Sequence, residues 1–405
     1  MHQSVAHKTG YVPGDREYRK LSIALFAAGL ATFALLYSTQ PLLPELVDAF
    51  HVSPSQSAFS VSFATFGLGL ALLIAGPASE VLGRTTLMRW SVAATSGFAL
   101  LSAFAPTWHT LLALRGLQGI AMAGLPAVAM AYLREEVHSD SHARASGLYI
   151  AGTAVGGMAG RLIAGGLDDA GGWRFATGGI ALVGVLCAAV VWILLPASRN
   201  FHPSPARLKH LLSGRVLRDP ALLALYGIAA TAVGAFVAAY NGAVFRLSES
   251  PYHLSAGAAG LVFCVYLLGS VGSATAGSLA DRFGRRAVVP VGCLITLAGV
   301  AITLAAPLPL IVVGLAVMTA GFFAVHGVAS GWVPARAHAS GVGTGQASSM
   351  YLFAFYLGSS VFGGLAGTAW SRGGWSGVAL EAGVLFCVTL VLAVLLKNVR
   401  SKVQN

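Results

Sequence analysis

The chain has 405 residues, 56% of them hydrophobic and only 10% charged, with a mean hydropathy of +0.75. That balance excludes an ordinary soluble domain, in which about a quarter of the residues are charged. The formal net charge of +11 raises nucleic-acid binding as a rival reading, but the basic residues are scattered over loops rather than gathered on one patch.

A bilayer core about 30 Å thick needs roughly 20 apolar residues per helical span. Residues 1–20 are polar and charged, so they do not read as a cleavable signal peptide, and the first apolar run is expected to remain as a helix. Six apolar runs follow in the first half, at 21–43, 56–78, 87–105, 109–132, 144–167 and 175–196. Six more follow in the second, at 221–245, 256–280, 287–306, 309–333, 342–369 and 376–396. Between the sets lies the polar segment "SRNFHPSPARLKHLLSGRVLRDP" (198–220). Its core, Arg207 to Leu217, reads either as an amphipathic helix on the membrane surface or as a solvated linker. The expected fold is therefore an all-α polytopic membrane protein of twelve helices: one bundle over 1–197, a cytoplasmic linker over 198–220, and a second bundle over 221–405.

With the N-terminus in the cytoplasm, every Lys and Arg except Arg115, Arg161, Arg174, Arg246 and Arg372 falls on the cytoplasmic side. The positive-inside rule then places both termini in the cytoplasm, as in a bacterial inner membrane. The four cysteines, Cys187, Cys264, Cys293 and Cys387, all fall within spans, where thiols act as small hydrophobes. No disulfide, metal site or cofactor is expected.

The two halves repeat one another. "GPASEVLGRTTL", from Gly76, returns as "GSLADRFGRRAV", from Gly277, and Pro106 and Pro307 keep the same spacing. Arg134 and Arg336, and Tyr149 and Tyr351, are one residue further apart, and "GGW" at 171–173 returns at 373–375. Two parallel six-helix units are one of the ways in which transporters are built. The repeated turn joins spans two and three, and spans eight and nine. Its glycines, Gly76, Gly83, Gly277 and Gly284, allow a tight connection. Its charges, Glu80 with Arg84 and Asp281 with Arg282, Arg285 and Arg286, are expected to pair and to act as a conformational gate.

Both turns resemble the loop motif of the major facilitator superfamily, G-x-x-x-D-x-x-G-R-[KR], with Glu80 and Thr85 as departures in the first copy. "LLALRGLQGIAMAG" (111–124) resembles the family's fourth-helix motif. "GTAVGGMAGR" (152–161) resembles its fifth-helix antiporter motif, with Gly157 in place of the proline and Arg161 in place of the last glycine. "YSTQPLLPEL" (37–46), "YNGAVFRL" (240–247) and "YLFAFYLGSSVFGG" (351–364) are similar to the drug-exporter-like, arabinose-efflux-type branch. The resemblance implies two pseudo-symmetric bundles around a central cavity and a coupling role for Arg115; because two such halves already enclose a complete pathway, the protein is expected to work as a monomer.

Ionisable groups at membrane depth are costly and mark functional sites. Arg115 lies about six residues into span four, roughly 10 Å deep at 1.5 Å per residue, and Gln40 reaches a similar depth in span one. The two are expected to hydrogen-bond, with Arg115 either serving solute and proton or held structurally by backbone carbonyls. Arg161 adjoins a stripe of Gly152, Gly156 and Gly160 in span five; it either enters the cavity or snorkels to the headgroups. His326, deep in span ten, is a proton-coupling candidate with a titration range suited to a gradient, or a packing residue. Glu45, at the outer end of span one, and Glu381, in span twelve, are the other proton candidates, although Glu381 could simply pair with Arg372. Tyr37, Tyr240, Asn241, Tyr351 and Tyr356 add polar tips that suit a cavity for amphipathic solutes.

No lysine lies in a G-K-[ST] context, and no H-E-x-x-H or G-x-S-x-G is present, so phosphate-loop ATPase and common hydrolase chemistries find no motif. The residues point instead to a secondary-active transporter of a small organic solute, expected as a proton-coupled exporter. An importer or facilitator of a sugar, amino acid or organic anion is the alternative, and the two embedded arginines suit an anion. A non-transporting membrane sensor would need a soluble output domain, and only about nine residues follow the last span.

Overall fold

The computed structural model describes residues 10–201 and 216–398, so the proposed linker helix from Arg207 falls almost wholly outside the described residues. Described residues form twelve spanning helices and no strand. Span one is Arg16–Tyr37, span two Pro54–Leu82, span three Arg84–Ala103, and span four Trp108–Met122 continued by Ala129–Glu136. Spans five and six form one helical run, His142–Leu194. In the second half, span seven is Pro220–Ser248. Span eight runs from Ala256 to Phe283 through a 3-10 turn at Leu261–Val265, span nine is Arg285–Ile302, and span ten is Leu308–Ala339. Spans eleven and twelve share the run Thr344–Asn398.

Local chemistry explains where these helices break. Span one stops at Tyr37, six residues short of its expected end, because Pro41 has no amide to donate and disfavours helix at Gln40. The chain turns there, with Gln40 N donating to Tyr37 O at 3.0 Å and Leu42 N to Thr39 O at 3.1 Å. A short helix, Leu43–Phe50, then leads to span two. Span four is interrupted at 123–128, around Pro126. The two "GGW" repeats prove to be the reversals between spans five and six and between spans eleven and twelve, with Gly172 at φ 76° and Gly374 at φ 54°.

The repeated turn is repeated in backbone as well as in sequence. Gly83 has φ 87°, ψ 145° and Gly284 φ 85°, ψ 145°, a region essentially closed to side chains. Each glycine ends one span and begins the next. Within each half, glycines also set the helix spacing. A Cβ at Gly152, Gly156 or Gly160 would strike the backbone of span one at Phe26, Leu30 or Ala34, so spans five and one touch backbone to backbone. Gly358 of span eleven meets Ala230 of span seven in the same way.

The halves meet along two seams, both near the face that carries the "GGW" reversals. On one seam, Ser55 of span two and Thr368 of span eleven are 2.8 Å apart, and Ser360 donates to Ser62 O at 2.8 Å. This seam reaches mid-membrane, where Gly69 abuts Tyr356. On the other, Asp169 of span five accepts from Ser255 Oγ at 2.7 Å and from Gly257 N at 3.1 Å at the start of span eight. Towards the opposite, basic face the helices stand further apart at several described glycines. Gly76, Gly147, Gly277 and Gly345, in spans two, five, eight and eleven, have nothing within 4 Å of a Cβ position. The hydrogen bonds that join the halves near the reversals thus contrast with open space beside these four glycines on the basic face.

Candidate functional site

Of the two placements the sequence left open for Arg115, the structure shows the one held by backbone carbonyls. Its guanidinium is 2% exposed and spends its donors on Ser60 O at 2.9 Å, Leu35 O at 3.0 Å, Leu36 O at 2.5 Å and Gln118 Oε1 at 2.6 Å. The expected bond to Gln40 does not form. The reason is the early end of span one: Gln40 N bonds Tyr37 O, so Leu36 O loses the amide a continuing helix would supply. Helix C-termini leave such carbonyls unpaired, and they attract a cation. Arg115 therefore ties span four to spans one and two. Gln118, three residues on and on the same helix face, was the overlooked half of this arrangement.

Arg161 takes the place beside Gln40. Its Nε donates to Gln40 Oε1 at 2.6 Å, and a terminal nitrogen donates to Gly157 O. It is 2% exposed, so it turns inward and does not snorkel. Three aromatic rings surround the guanidinium, with centroids at 4.3 Å for Tyr37, 4.7 Å for Tyr266 and 4.9 Å for Phe263, all within cation–π range. Phe263 and Tyr266 were hidden in an apolar run. The 3-10 turn aligns residues three apart and brings this pair to one face. Gln40 Nε2 in turn donates to Asn241 Oδ1 at 2.7 Å, and Asn241 Nδ2 donates to Gly363 O at 2.8 Å. Tyr37, Gln40, Arg161 and Asn241 are thus assembled into one buried polar layer between the halves.

The remaining candidates separate from this layer. Tyr240 bonds Thr319 Oγ1 at 2.6 Å and stacks on Phe263, so it backs the aromatic wall. His326 Nδ1 lies 3.0 Å from Tyr351 OH, with the Phe355 ring 4.8 Å away; spans ten and eleven hold it. Tyr356 is buried on the seam against Gly69. Glu45 sits beyond span one, on the short helix, with Oε1 3.8 Å from a Cβ position at Gly172. Glu381 is partly buried, and neither carboxylate oxygen has a hydrogen-bond partner. The anticipated pair with Arg372 is not formed, because Arg372 is exposed at the reversal.

At the repeated turn the anticipated Glu80–Arg84 pair is also replaced. Arg84 bonds Glu135 Oε1 at 2.9 Å and Ser79 Oγ, because Gly83 starts a new helix that swings Arg84 towards the end of span four. Asp281 and Arg282 in the second copy are exposed, and no ion pair joins them to Arg285 among the described residues. Beside these turns, Asp219 caps span seven through Ala221 N at 2.8 Å and bonds Arg336 Nε at 3.0 Å. Partial burial raises its pKa, but the Arg336 guanidinium and two backbone amides outweigh that and hold the carboxyl below its ordinary range. Among the described residues no three His, Cys, Asp or Glu side chains gather as a metal would require.

The layer can hold a hydrogen-bonding or anionic group: its one full charge is a guanidinium, and no salt bridge to it is present among the described residues. The sequence profile of the Major Facilitator Superfamily matches residues 21–252 and again 249–405. The chain is 40% identical over 382 residues to the uncharacterized MFS-type transporter YybF of Bacillus subtilis, covering 94% of each protein. It is also 40% identical over 396 residues to the inner membrane transport protein YnfM of Escherichia coli, covering 97% of this chain and 93% of that one. A bacterial homologue of the human lysosomal transporter Spinster, solved in an inward-facing conformation, superposes with a TM-score of 0.72 at 17% identity, over 95% of this chain and 96% of that one. Two matched halves, full-length relatives and a shared twelve-helix fold place the chain in the major facilitator superfamily, as a membrane transporter.

Proposed function

We propose that the protein is a secondary-active exporter of a small organic solute, exchanging it for protons across the bacterial inner membrane by alternating access. What carries the reading is the arrangement of the halves, joined near one face, more open at the other, with a polar layer between them. Alternating access by two repeats rocking about a midplane site needs such a geometry. Taking the basic face as cytoplasmic, as the charge asymmetry argues, the solute enters from the cytoplasm and both termini lie there. The name of the relative YnfM supports an inner-membrane location. His326 and Glu381 supply the proton-binding chemistry of this reading. His326 shares its ring nitrogen with a phenol, and Glu381 has no partner for either oxygen. One chain encloses the whole pathway, so a monomer suffices.

A second reading is favoured by one observation. Arg161 is a buried cation whose side-chain hydrogen bonds go to an amide oxygen and a backbone carbonyl, which suits import or facilitated passage of an organic anion. Everted membrane vesicles from cells expressing the protein test both readings. Solute uptake that is driven by respiration and collapses with a protonophore supports proton exchange. Uptake that only follows the solute's own gradient refutes it and leaves the facilitator.

A further inference from the structure

The polar layer is built on the internal repeat. Gln40 and Asn241 are 201 residues apart, the spacing of the two GxxxDxxG-type turns. Arg161 and Gly363 differ by one more, as do Tyr149 and Tyr351. The hydrogen-bond chain Arg161–Gln40–Asn241–Gly363 therefore passes through spans five, one, seven and eleven as a pseudo-palindrome. Its central bond, Gln40 to Asn241, joins the halves where their pseudo-two-fold axis must pass. The pattern fails in charge alone. The first half has a guanidinium where the second has the backbone carbonyl of Gly363.

That asymmetry leaves a buried cation without an anion. Rings from both halves, Tyr37 on one side and Phe263 and Tyr266 on the other, lie over it. Cation–π contact offsets part of the desolvation, but a cation at this depth ordinarily has an anionic partner. Gln40 is a weak substitute. Its single amide group accepts from Arg161 and donates to Asn241, so whatever displaces it from the arginine also frees the link between the halves.

We propose that Arg161 is the binding group for the carboxylate of an organic anion with a flat aromatic body, and that seating it displaces Gln40 and unlatches the Gln40–Asn241 bond. A carboxylate accepts two parallel bonds from the guanidinium fork, charge-assisted and stronger than an amide's, so it wins the position of Gln40 Oε1. The freed Gln40 side chain no longer holds Asn241, and the closed face can part. An empty transporter keeps the latch made and stays shut to leak. A neutral or cationic molecule of the same shape cannot take the guanidinium from Gln40. This assignment rests on the transporter reading but is indifferent to direction and coupling ion.

The test uses the full chain in lipid nanodiscs with benzoate, phenylacetate and cinnamate, against the neutral isostere benzamide and the cation benzylamine. Two readouts apply: thermal stabilisation, which reports binding by mass action, and amide hydrogen exchange at 54–62 and 360–368, the seam of Ser55, Ser62, Ser360 and Thr368. A carboxylate is expected to raise the melting temperature and to speed exchange at the seam several-fold, whereas benzamide and benzylamine do neither. Arg161→Gln is expected to weaken carboxylate binding at least tenfold, while Arg161→Lys retains part of it. Gln40→Ala is expected to bind the carboxylate at least as tightly as the unaltered protein and to exchange fast at the seam with nothing bound. Benzoate and benzamide acting alike would overturn the proposal. So would full binding in Arg161→Gln, or a protected seam in Gln40→Ala. If Arg161→Gln does not fold, Arg161→Lys and Gln40→Ala decide. No carboxylate binding to the unaltered protein also overturns it, and leaves the transporter reading to stand or fall on vesicle uptake.

Discussion

Replacing Arg115 separates a structural arginine from a solute-binding one. In Arg115→Ala the carbonyls of Leu36 and Ser60 lose their side-chain donor, and Gln118 Oε1 loses its partner. Leu35 O keeps Ser38 Oγ at 3.1 Å. Ser60 O keeps its amide partner within the helix Pro54–Leu82, so the acceptors left unpaired are Leu36 O and Gln118 Oε1; at about 1–3 kcal/mol each they amount to about 2–6 kcal/mol, before any loss from the void left behind. Arg115→Lys keeps the charge but presents a compact ammonium in place of a five-donor fork, and is expected to fall between Ala and the native residue. Thermal unfolding in a fixed detergent, followed by intrinsic fluorescence, gives the stability. Equilibrium binding of a transported solute to the folded fraction gives the function. Arg115→Lys should lower the melting temperature by several degrees while leaving solute affinity within about twofold. A variant as stable as the native protein that has lost binding would refute the structural assignment and return Arg115 to the cavity.

Four other substitutions probe separate parts of the fold. Asp219→Asn keeps a good helix cap but loses the Arg336 ion pair; it is expected to cost about 1 kcal/mol near neutral pH after allowance for partial exposure. Because the folded-state pKa of Asp219 is depressed, its contribution is present above the unfolded value of about 3.9 and is lost as pH falls through the folded value. The native and Asp219→Asn melting temperatures should therefore converge below about pH 4. Gly156→Ala forces a methyl into the backbone of Leu30 and should abolish monodisperse protein in size-exclusion chromatography, whereas Gly147→Ala meets nothing and should be neutral or gain up to about 1 kcal/mol. Asp281→Ala, at an exposed turn without a recorded ion pair, should stay within about 0.5 kcal/mol of native stability yet slow transport. A matching loss of stability and transport would show that the turn merely holds the fold.

Much of the architecture was legible because the bilayer imposes it. A span must be about 20 apolar residues long, so twelve helices and their register with the repeat could be read directly. The small-residue stripe of Gly152, Gly156 and Gly160 likewise announced a close helix contact. What hydropathy could not supply is helix phase. In an apolar solvent the buried face and the lipid face are equally apolar, so nothing in the sequence told which way Arg115 and Arg161 point. Both lie in apolar spans, yet one turns to backbone carbonyls and the other into the layer. The deciding residue is Pro41. By ending span one at Tyr37, it leaves Leu36 O for Arg115 and turns Gln40 towards Arg161 and Asn241. A continuous helix to residue 43, the reading hydropathy favours, pairs the wrong arginine with Gln40.

The repeat conserves backbone more strictly than side-chain chemistry, and the division has a physical reason. Gly83 and Gly284 share their dihedral angles to within a few degrees, and Gly156 and Gly358 share the same backbone contact, because helix packing in a bilayer depends on close approach and leaves few substitutes for glycine. The charged groups set on this common frame differ between halves. Arg84 is bonded within its own half to Glu135, while Asp281 and Arg282 stand exposed on the basic face. Arg161 faces a carbonyl at its repeat position. A perfectly symmetric pair of parallel halves would bind any solute identically in two orientations. Confining the cation to span five removes that degeneracy. On the transporter reading proposed above, the first half then sets the orientation of the solute.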